Sequence, residues 1–328
     1  MQLTSLTRWL VAGALAVGTA AAPLAAAVAA QVDYPQRTVS LVVPFPPGGA
    51  TDTLARLIAE KLSAKWGQTV IVENKPGGNT MVGTDYVAKA KPDGHVVGVV
   101  TGSHIINPLL TKKVPYDTEK DLTGVMLLTG FPMAIYAHPD FPASTPAEFV
   151  EYVRKSATKV PYGSATTQSY LAMELLNQMM GTSMEYVPYK GSAQAQSDLI
   201  GGHVPVVIDP VLLSTLEHVK TGRMKIIGTL GAQRSSLTPD VPVLADAVPG
   251  YDFSGAFGLV TQAGTPPEVV AKIRDGFAEV LAMPEVAERA RSIGQEVLAS
   301  TPEQYQAYIA TETAKWKPII AATGASLD

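Results

Sequence analysis

The sequence contains no cysteine. Without thiols there is no disulfide staple, no thiolate nucleophile and no cysteine metal site, so packed cores alone must hold the fold. Histidine is scarce too. His95, His104, His138, His203 and His218 are scattered, with no pair at metal-ligand spacing, and no metal is expected. Charge is thin: 25 basic and 29 acidic residues give a net charge of −4, and no basic block exists that could neutralise a nucleic-acid backbone. No nucleic-acid partner is expected. Beyond residue 30 no stretch of about 18 uninterrupted apolar residues occurs, so the mature chain is expected to be soluble. The motifs that carry enzyme chemistry are missing as well. There is no Gly-x-Ser-x-Gly elbow, no phosphate loop with Gly-Lys-Thr/Ser, no His-Glu-x-x-His and no Gly-x-Gly-x-x-Gly. The reading is therefore of a chain that is not an enzyme and needs no cofactor.

What is present begins with an export signal. Arg8 precedes an uncharged run rich in Ala, Val, Leu and Gly, which ends on Val28-Ala29-Ala30. Residues 1–30 read as a cleaved signal peptide, with cleavage after Ala30 or one residue earlier. The destination is the periplasm. The remainder is long enough for two domains of ordinary size.

Along that remainder, strand and helix patterns alternate. Thr38–Val43 reads as a buried strand that stops at Pro44-Phe45-Pro46-Pro47-Gly48-Gly49, and Leu54, Leu57, Ile58 and Leu62 give the next segment a helical stripe. Thr69–Glu73 is a second strand, Met81–Lys91 a second helix and His95–Thr101 a third strand. The rhythm resumes with strands at 133–138, 160–164, 183–188, 204–209 and 225–230, interleaved with helices at 146–155, 169–180, 192–200 and 212–221. A returning strand at 257–261 precedes a helical tail at 267–283, 284–293 and 302–323. This is the order of mostly parallel sheets covered by helices, in two α/β lobes, where ligands bind at the carboxyl ends of strands.

The sharpest local signal is Pro47-Gly48-Gly49-Ala50-Thr51-Asp52, between a strand and a helix. Glycines let the backbone approach a ligand, and the helix start offers unpaired N–H groups and a positive dipole end. An anion is the natural occupant. Thr51 and Asp52 serve equally well as plain N-caps, so the backbone N–H groups are the better candidates than either side chain. Lys75-Pro76-Gly77-Gly78-Asn79-Thr80 repeats the device after the next strand. Gly163-Ser164-Ala165-Thr166-Thr167-Gln168-Ser169, rich in hydroxyls, opens a third helix, as a ligand site or as a generous cap. Asp52 and Asp209 lie too far apart in sequence to signal a carboxylate pair. His104, at the end of the third strand, reads more readily as a packed or capping histidine than as a base, and Lys190 as a solvated loop lysine.

Taken in order, these residues resemble the receptors of tripartite tricarboxylate transporters, the Bug receptors. The resemblance is carried by Tyr34-Pro35, the stretch Val42–Asp52, Val72-Glu73-Asn74-Lys75-Pro76-Gly77-Gly78 and Pro92-Asp93-Gly94. It continues through Ile106-Asn107-Pro108, Val187-Pro188-Tyr189-Lys190-Gly191, Pro239-Asp240-Val241-Pro242 and Ala263-Gly264-Thr265-Pro266. It implies a type II periplasmic-binding-protein fold, with two α/β lobes joined by two crossing strands. Lobe one would be residues 31–131 plus 252–328, and lobe two 132–251. The implied ligand is a small carboxylate: a di- or tricarboxylic acid, an acidic amino acid or an aromatic acid. Its carboxylate would be gripped by the glycine loops of lobe one, through Phe45, Gly48, Gly49, Ala50, Thr51, Asp52, Gly78, Asn79 and Thr80, with His104 beside them. Lobe two would add Ser164, Thr166, Thr167, Gln168 and Asp209. Thr80 replaces a customary glycine, Tyr170-Leu171 stands where His-Leu is usual, and the loop at 163–168 is shorter and poorer in glycine than usual. The implied partners are the large and small membrane subunits of the transporter, with the chain itself a monomer. A receptor for a sensor kinase or for an ATP-driven importer, or an exported enzyme acting on a carboxylate, are the alternatives.

Overall fold

β-Branched residues after Thr38 form β1 (Val39–Val43), and the amphipathic segment after the glycine pair forms α1 (Ala50–Trp66), as the computed structural model of residues 33–324 and 326 shows. The reading of residues 1–30 as a signal peptide lies outside the described residues. β2 (Val70–Asn74), α2 (Met81–Ala88), β3 (Val96–Thr101), α3 (Ser103–Leu110) and β4 (Leu122–Phe131) follow. After Pro132 come β5 (Met133–Ala137), α4 (Pro146–Lys155), β6 (Pro161–Ser164), α5 (Thr167–Met180), β7 (Glu185–Pro188), α6 (Ser192–Ile200), β8 (Val206–Pro210), α7 (Leu213–Lys220) and β9 (Lys225–Thr229). The chain returns through β10 (Gly255–Gln262) to α8 (Pro267–Leu281), α9 (Pro284–Ser292), β11 (Glu296–Val297) and α10 (Pro302–Thr323).

Two sheets result, one with strand order β11-β4-β10-β3-β1-β2 and one with β7-β6-β8-β5-β9. Each carries its own helices, so the chain is a two-lobed α/β protein. β1 pairs in parallel with β2 and β3, and β6 in parallel with β7 and β8. The sheets are nonetheless mixed, where the sequence rhythm suggested mostly parallel ones. β10 runs antiparallel to β3 and β4, and β5 antiparallel to β8 and β9. These are the strands next to the crossings. A chain leaving one sheet through β4 and entering the other through β5, and one returning through β10, cannot all share the direction of the βαβ units.

α3 and β4 have no counterpart in the sequence reading. Pro108 lies inside α3, where the missing N–H and the ring normally disfavour helix, so Ile105-Ile106-Asn107-Pro108 does not advertise one. α10 begins with a capping box, in which Thr301 accepts from the Gln304 N–H and the Gln304 side chain accepts from the Thr301 N–H. Its first turns pack Tyr305 and Ile309 beside Val42, Val100 and Val260 of the first sheet. Further on, Trp316, Ile319 and Ile320 join a core with Leu171, Leu176 and Ile208 of the second. One helix thus spans both cores. Among the described residues no helix is long and apolar enough to cross a membrane, and no cluster of acidic or histidine side chains has the geometry of a metal site.

Candidate functional site

The carboxyl ends of β1, β2 and β3 face those of β6 and β8 across a cleft of about 270 Å³. From the first sheet it is lined by Phe45, Thr51, Asn79, Thr80, Thr101 and Ser103. The second contributes Thr166, Thr167, Gln168, Ser169 and Pro210. Phe131 and Met133 on the outward crossing, and Phe253 and Phe257 on the return, complete it. Of the residues expected from sequence, Phe45, Thr51, Asn79, Thr80, Thr166, Thr167 and Gln168 meet here.

The loop before α1 is held from behind by Asp52, whose carboxylate is buried. Oδ2 accepts from the Gly48 N–H (2.8 Å) and Arg56 Nε (3.0 Å), and Oδ1 accepts from Arg56 Nη2 (3.0 Å) and Asn74 Nδ2 (2.8 Å). Burial works to raise its pKa, but the hydrogen bonds from Arg56, Gly48 and Asn74 outweigh it and hold the carboxyl at about 2. Asn74 also donates to the Phe45 carbonyl (3.0 Å) and so fixes the Phe45 backbone at the cleft wall. Asp52 is therefore occupied in building the loop, and Gly48, Gly49 and Ala50 frame it, while Thr51 is the residue of this turn that reaches the cleft. Thr51 belongs to the first turn of α1, where N–H groups have no intrahelical acceptor and the helix dipole has its positive end.

The second turn is unusual. Gly78, Asn79 and Thr80 all have left-handed backbones, with φ of 55°, 51° and 71°. Such a conformation is ordinary for glycine and tolerable for asparagine, but costs a β-branched residue roughly 1–2 kcal/mol. Asn107 braces the turn: it accepts from Asn79 Nδ2 (2.7 Å) and donates to the Asn79 carbonyl (3.0 Å). What the strain achieves is the placement of Thr80. The residue lines the cleft and is only 9% exposed, and its buried hydroxyl has no hydrogen-bond partner among the described residues. A buried hydroxyl without a partner costs about 1–3 kcal/mol, and a ligand that bonds to it recovers that cost. Thr80→Gly should accordingly stabilise the free protein by about 1 kcal/mol while weakening ligand binding about tenfold, with Thr80→Ser close to wild type in binding. Urea melts and calorimetry check the two signs separately; a destabilised glycine variant would mean that Thr80 is kept for packing.

His104 sits just behind Ser103, fully enclosed. Its Nδ1 lies 2.6 Å from the Thr101 carbonyl, which can only accept, so Nδ1 carries the proton and Nε2 accepts from the Tyr305 hydroxyl (3.2 Å). Burial lowers its pKa, against the opposing Thr101 bond, to about 4. It is a neutral clasp between the β3–α3 turn and α10, not a cleft residue. Gly78 likewise supports the turn without lining the cleft.

Across the cleft, Thr166 caps α5: its hydroxyl accepts from the Ser169 N–H (3.1 Å). Ser164 donates to the Thr166 carbonyl (3.1 Å) and is wholly buried. Asp209 accepts from Ser192 Oγ and Gln196 Nε2, both at 2.6 Å, and burial raises its pKa against those bonds. It ties α6 to the end of β8, and its neighbour Pro210 is the residue that reaches the cleft. The Gln168 amide crosses towards the first sheet. A Cβ on Gly102 would lie 2.5 Å from Gln168 Nε2, so the approach there depends on glycine.

Thr101 and Ser103 extend the glycine-loop pattern to the third strand end and were within reach of sequence reasoning. The four crossing residues were not, because only the fold shows that the two connections between sheets pass along the cleft. None of the described residues lining it carries a charge. The arrangement suits an anion held by helix N-termini and hydroxyls, with a body resting on apolar side chains.

Comparison with known proteins places the chain in a family. The family model described as "Tripartite tricarboxylate transporter family receptor" matches residues 54–325. The chain is 30% identical to protein BugT of Bordetella pertussis over 313 residues, 94% of this chain and 95% of that one. An R. palustris protein solved with adipate is 31% identical, with a TM-score of 0.74 over 90% of this chain and 99% of its own. MatC from Rhodopseudomonas palustris with bound malate is 31% identical, with a TM-score of 0.70 over 88% of this chain and all of its own (100%).

Proposed function

This chain belongs to the receptor family of tripartite tricarboxylate transporters, a family of solute-binding receptors, and from that premise we propose that it captures a small carboxylate in the periplasm. It delivers this ligand to the large and small membrane subunits of such a transporter. The observation that carries the reading is the uncharged lining of the cleft between two sheets. It includes Thr51 and Thr167 from the first turns of α1 and α5, and Thr80, whose buried hydroxyl has no partner among the described residues. A carboxylate supplies the negative charge and the acceptors that this lining lacks. The adipate and malate held by its structural neighbours are acids of this size.

In this reading the protein is not an enzyme. His104 is buried behind the cleft with its pKa lowered by burial, and the described residues lining the cleft include no acid or base to move a proton. The lobes divide at the crossings, as residues 31–131 with 252–328 and residues 132–251, with α10 lying across the division. The protein acts as a monomer, and the exported form lacks residues 1–30. A thermal-shift screen over di- and tricarboxylic, acidic amino and aromatic acids tests the proposal. The true ligand at 100 times its Kd stabilises by about 2.7 kcal/mol. If no acid in the screen raises the melting temperature, the carboxylate reading is contradicted.

A further inference from the structure

We propose that the cleft selects an aromatic carboxylate, its ring packed on Phe45, Phe131 and Phe257 and its carboxylate turned towards Thr51 and Thr80. This rests on the receptor reading above and names the ligand class within it. The described lining is of two kinds: hydroxyls and amides from the strand ends and helix starts, and an apolar set made of Phe45, Phe131, Met133, Pro210, Phe253 and Phe257. The Phe45 and Phe257 ring centroids are 6.1 Å apart at 84°, and those of Phe131 and Phe257 are 5.2 Å apart at 44°. A ligand ring joining this group at a centroid distance of about 4.5–7 Å would gain attraction beyond its area burial.

Phe131 is seated deliberately. A Cβ on Gly255 would lie 1.9 Å from the Phe131 ring, so only glycine in β10 lets that ring lie down on the strand. The same lining argues against the other acids. No described lining residue is acidic, so an amino acid's ammonium group would be left without a carboxylate partner. None is basic, so the added charge of a third carboxylate would find no cationic partner in a lining that includes four phenyl rings. A rigid ring also gives up less conformational freedom on binding than a methylene chain.

Calorimetry on the mature protein with benzoate and terephthalate, against adipate, malate, citrate and glutamate, tests the inference. The better aromatic acid should bind at least about tenfold more tightly than the best of the others. Phe45→Leu, at a half-buried position, should weaken the aromatic acid about fivefold and shift any aliphatic acid less than about twofold. Tighter binding of an aliphatic acid, or an equal loss for both classes in Phe45→Leu, overturns the aromatic preference and leaves the receptor standing. No binding of any acid overturns the receptor reading, and the preference with it.

Discussion

The methyl ester of the ligand should bind at least about a hundredfold more weakly than the acid. The reason lies in how the cleft would hold charge. Its described lining includes no lysine or arginine, so the attraction must come from N–H groups at helix starts and from hydroxyls such as that of Thr80. Hydrogen bonds to a charged acceptor contribute about 1.5–3 kcal/mol, against about 0.5–1.5 for neutral pairs, and the helix dipole adds roughly 0.3–1. Esterification removes the charge and one acceptor oxygen while adding a methyl group among donors that are then unpaired. Together these losses exceed 2.7 kcal/mol, which is a hundredfold. Equal affinity for acid and ester by calorimetry would mean that the cleft recognises an apolar body alone.

Asp52→Ala should destabilise the protein by about 2 kcal/mol, and any loss of ligand affinity should follow from the disturbed loop. Removing the carboxylate leaves the Gly48 N–H and Asn74 Nδ2 without the acceptor that orients them, and frees Arg56 to return to water. The effect should depend on pH with a definite sign. The folded-state pKa, about 2, lies below the ordinary value of 3.8, so the charged form is the one the fold stabilises. That contribution is complete above about pH 4 and disappears as the pH falls towards 2. Urea melts of wild type and variant should therefore converge in strong acid and differ most at neutral pH. A variant of unchanged stability that no longer binds ligand would instead put Asp52 in direct contact with it.

Much of this was legible beforehand. Tight glycine turns after β1 and β2 marked helix starts because few other sequences let a strand turn so sharply into a helix, and Thr51 and Thr80 lie on them. His104 reads from sequence more readily as a packed histidine than as a base, and it packs against Tyr305. The roles of Asp52 and Asp209 were not legible, since a carboxylate that builds a loop and one that meets a ligand have the same neighbours in sequence. Only the hydrogen bonds to Gly48 and Gln196 tell the two apart. Phe131 and Phe257 were hidden for another reason. Their place in the cleft depends on β4 and β10 pairing across more than a hundred residues of chain, which no local pattern encodes. The strain at Thr80 was half visible, because a threonine at a customary glycine position signals either a changed turn or a tolerated cost. The structure shows the second.

On the receptor reading proposed above, the two lobes close on a ligand that touches both. A ligand contacting Thr80 on one side and Thr167 or Gln168 on the other binds the closed arrangement better, and must shift the population towards it. In that reading the crossings near residues 131 and 252 serve as the hinge, and α10, which packs on both cores, slides or bends with it. Small-angle scattering of the mature protein with and without saturating ligand measures this directly. The account predicts a smaller radius of gyration in the saturated protein, with a matching fall in the distance between labels placed on the two lobes. An unchanged radius and an unchanged distance at full occupancy would contradict it.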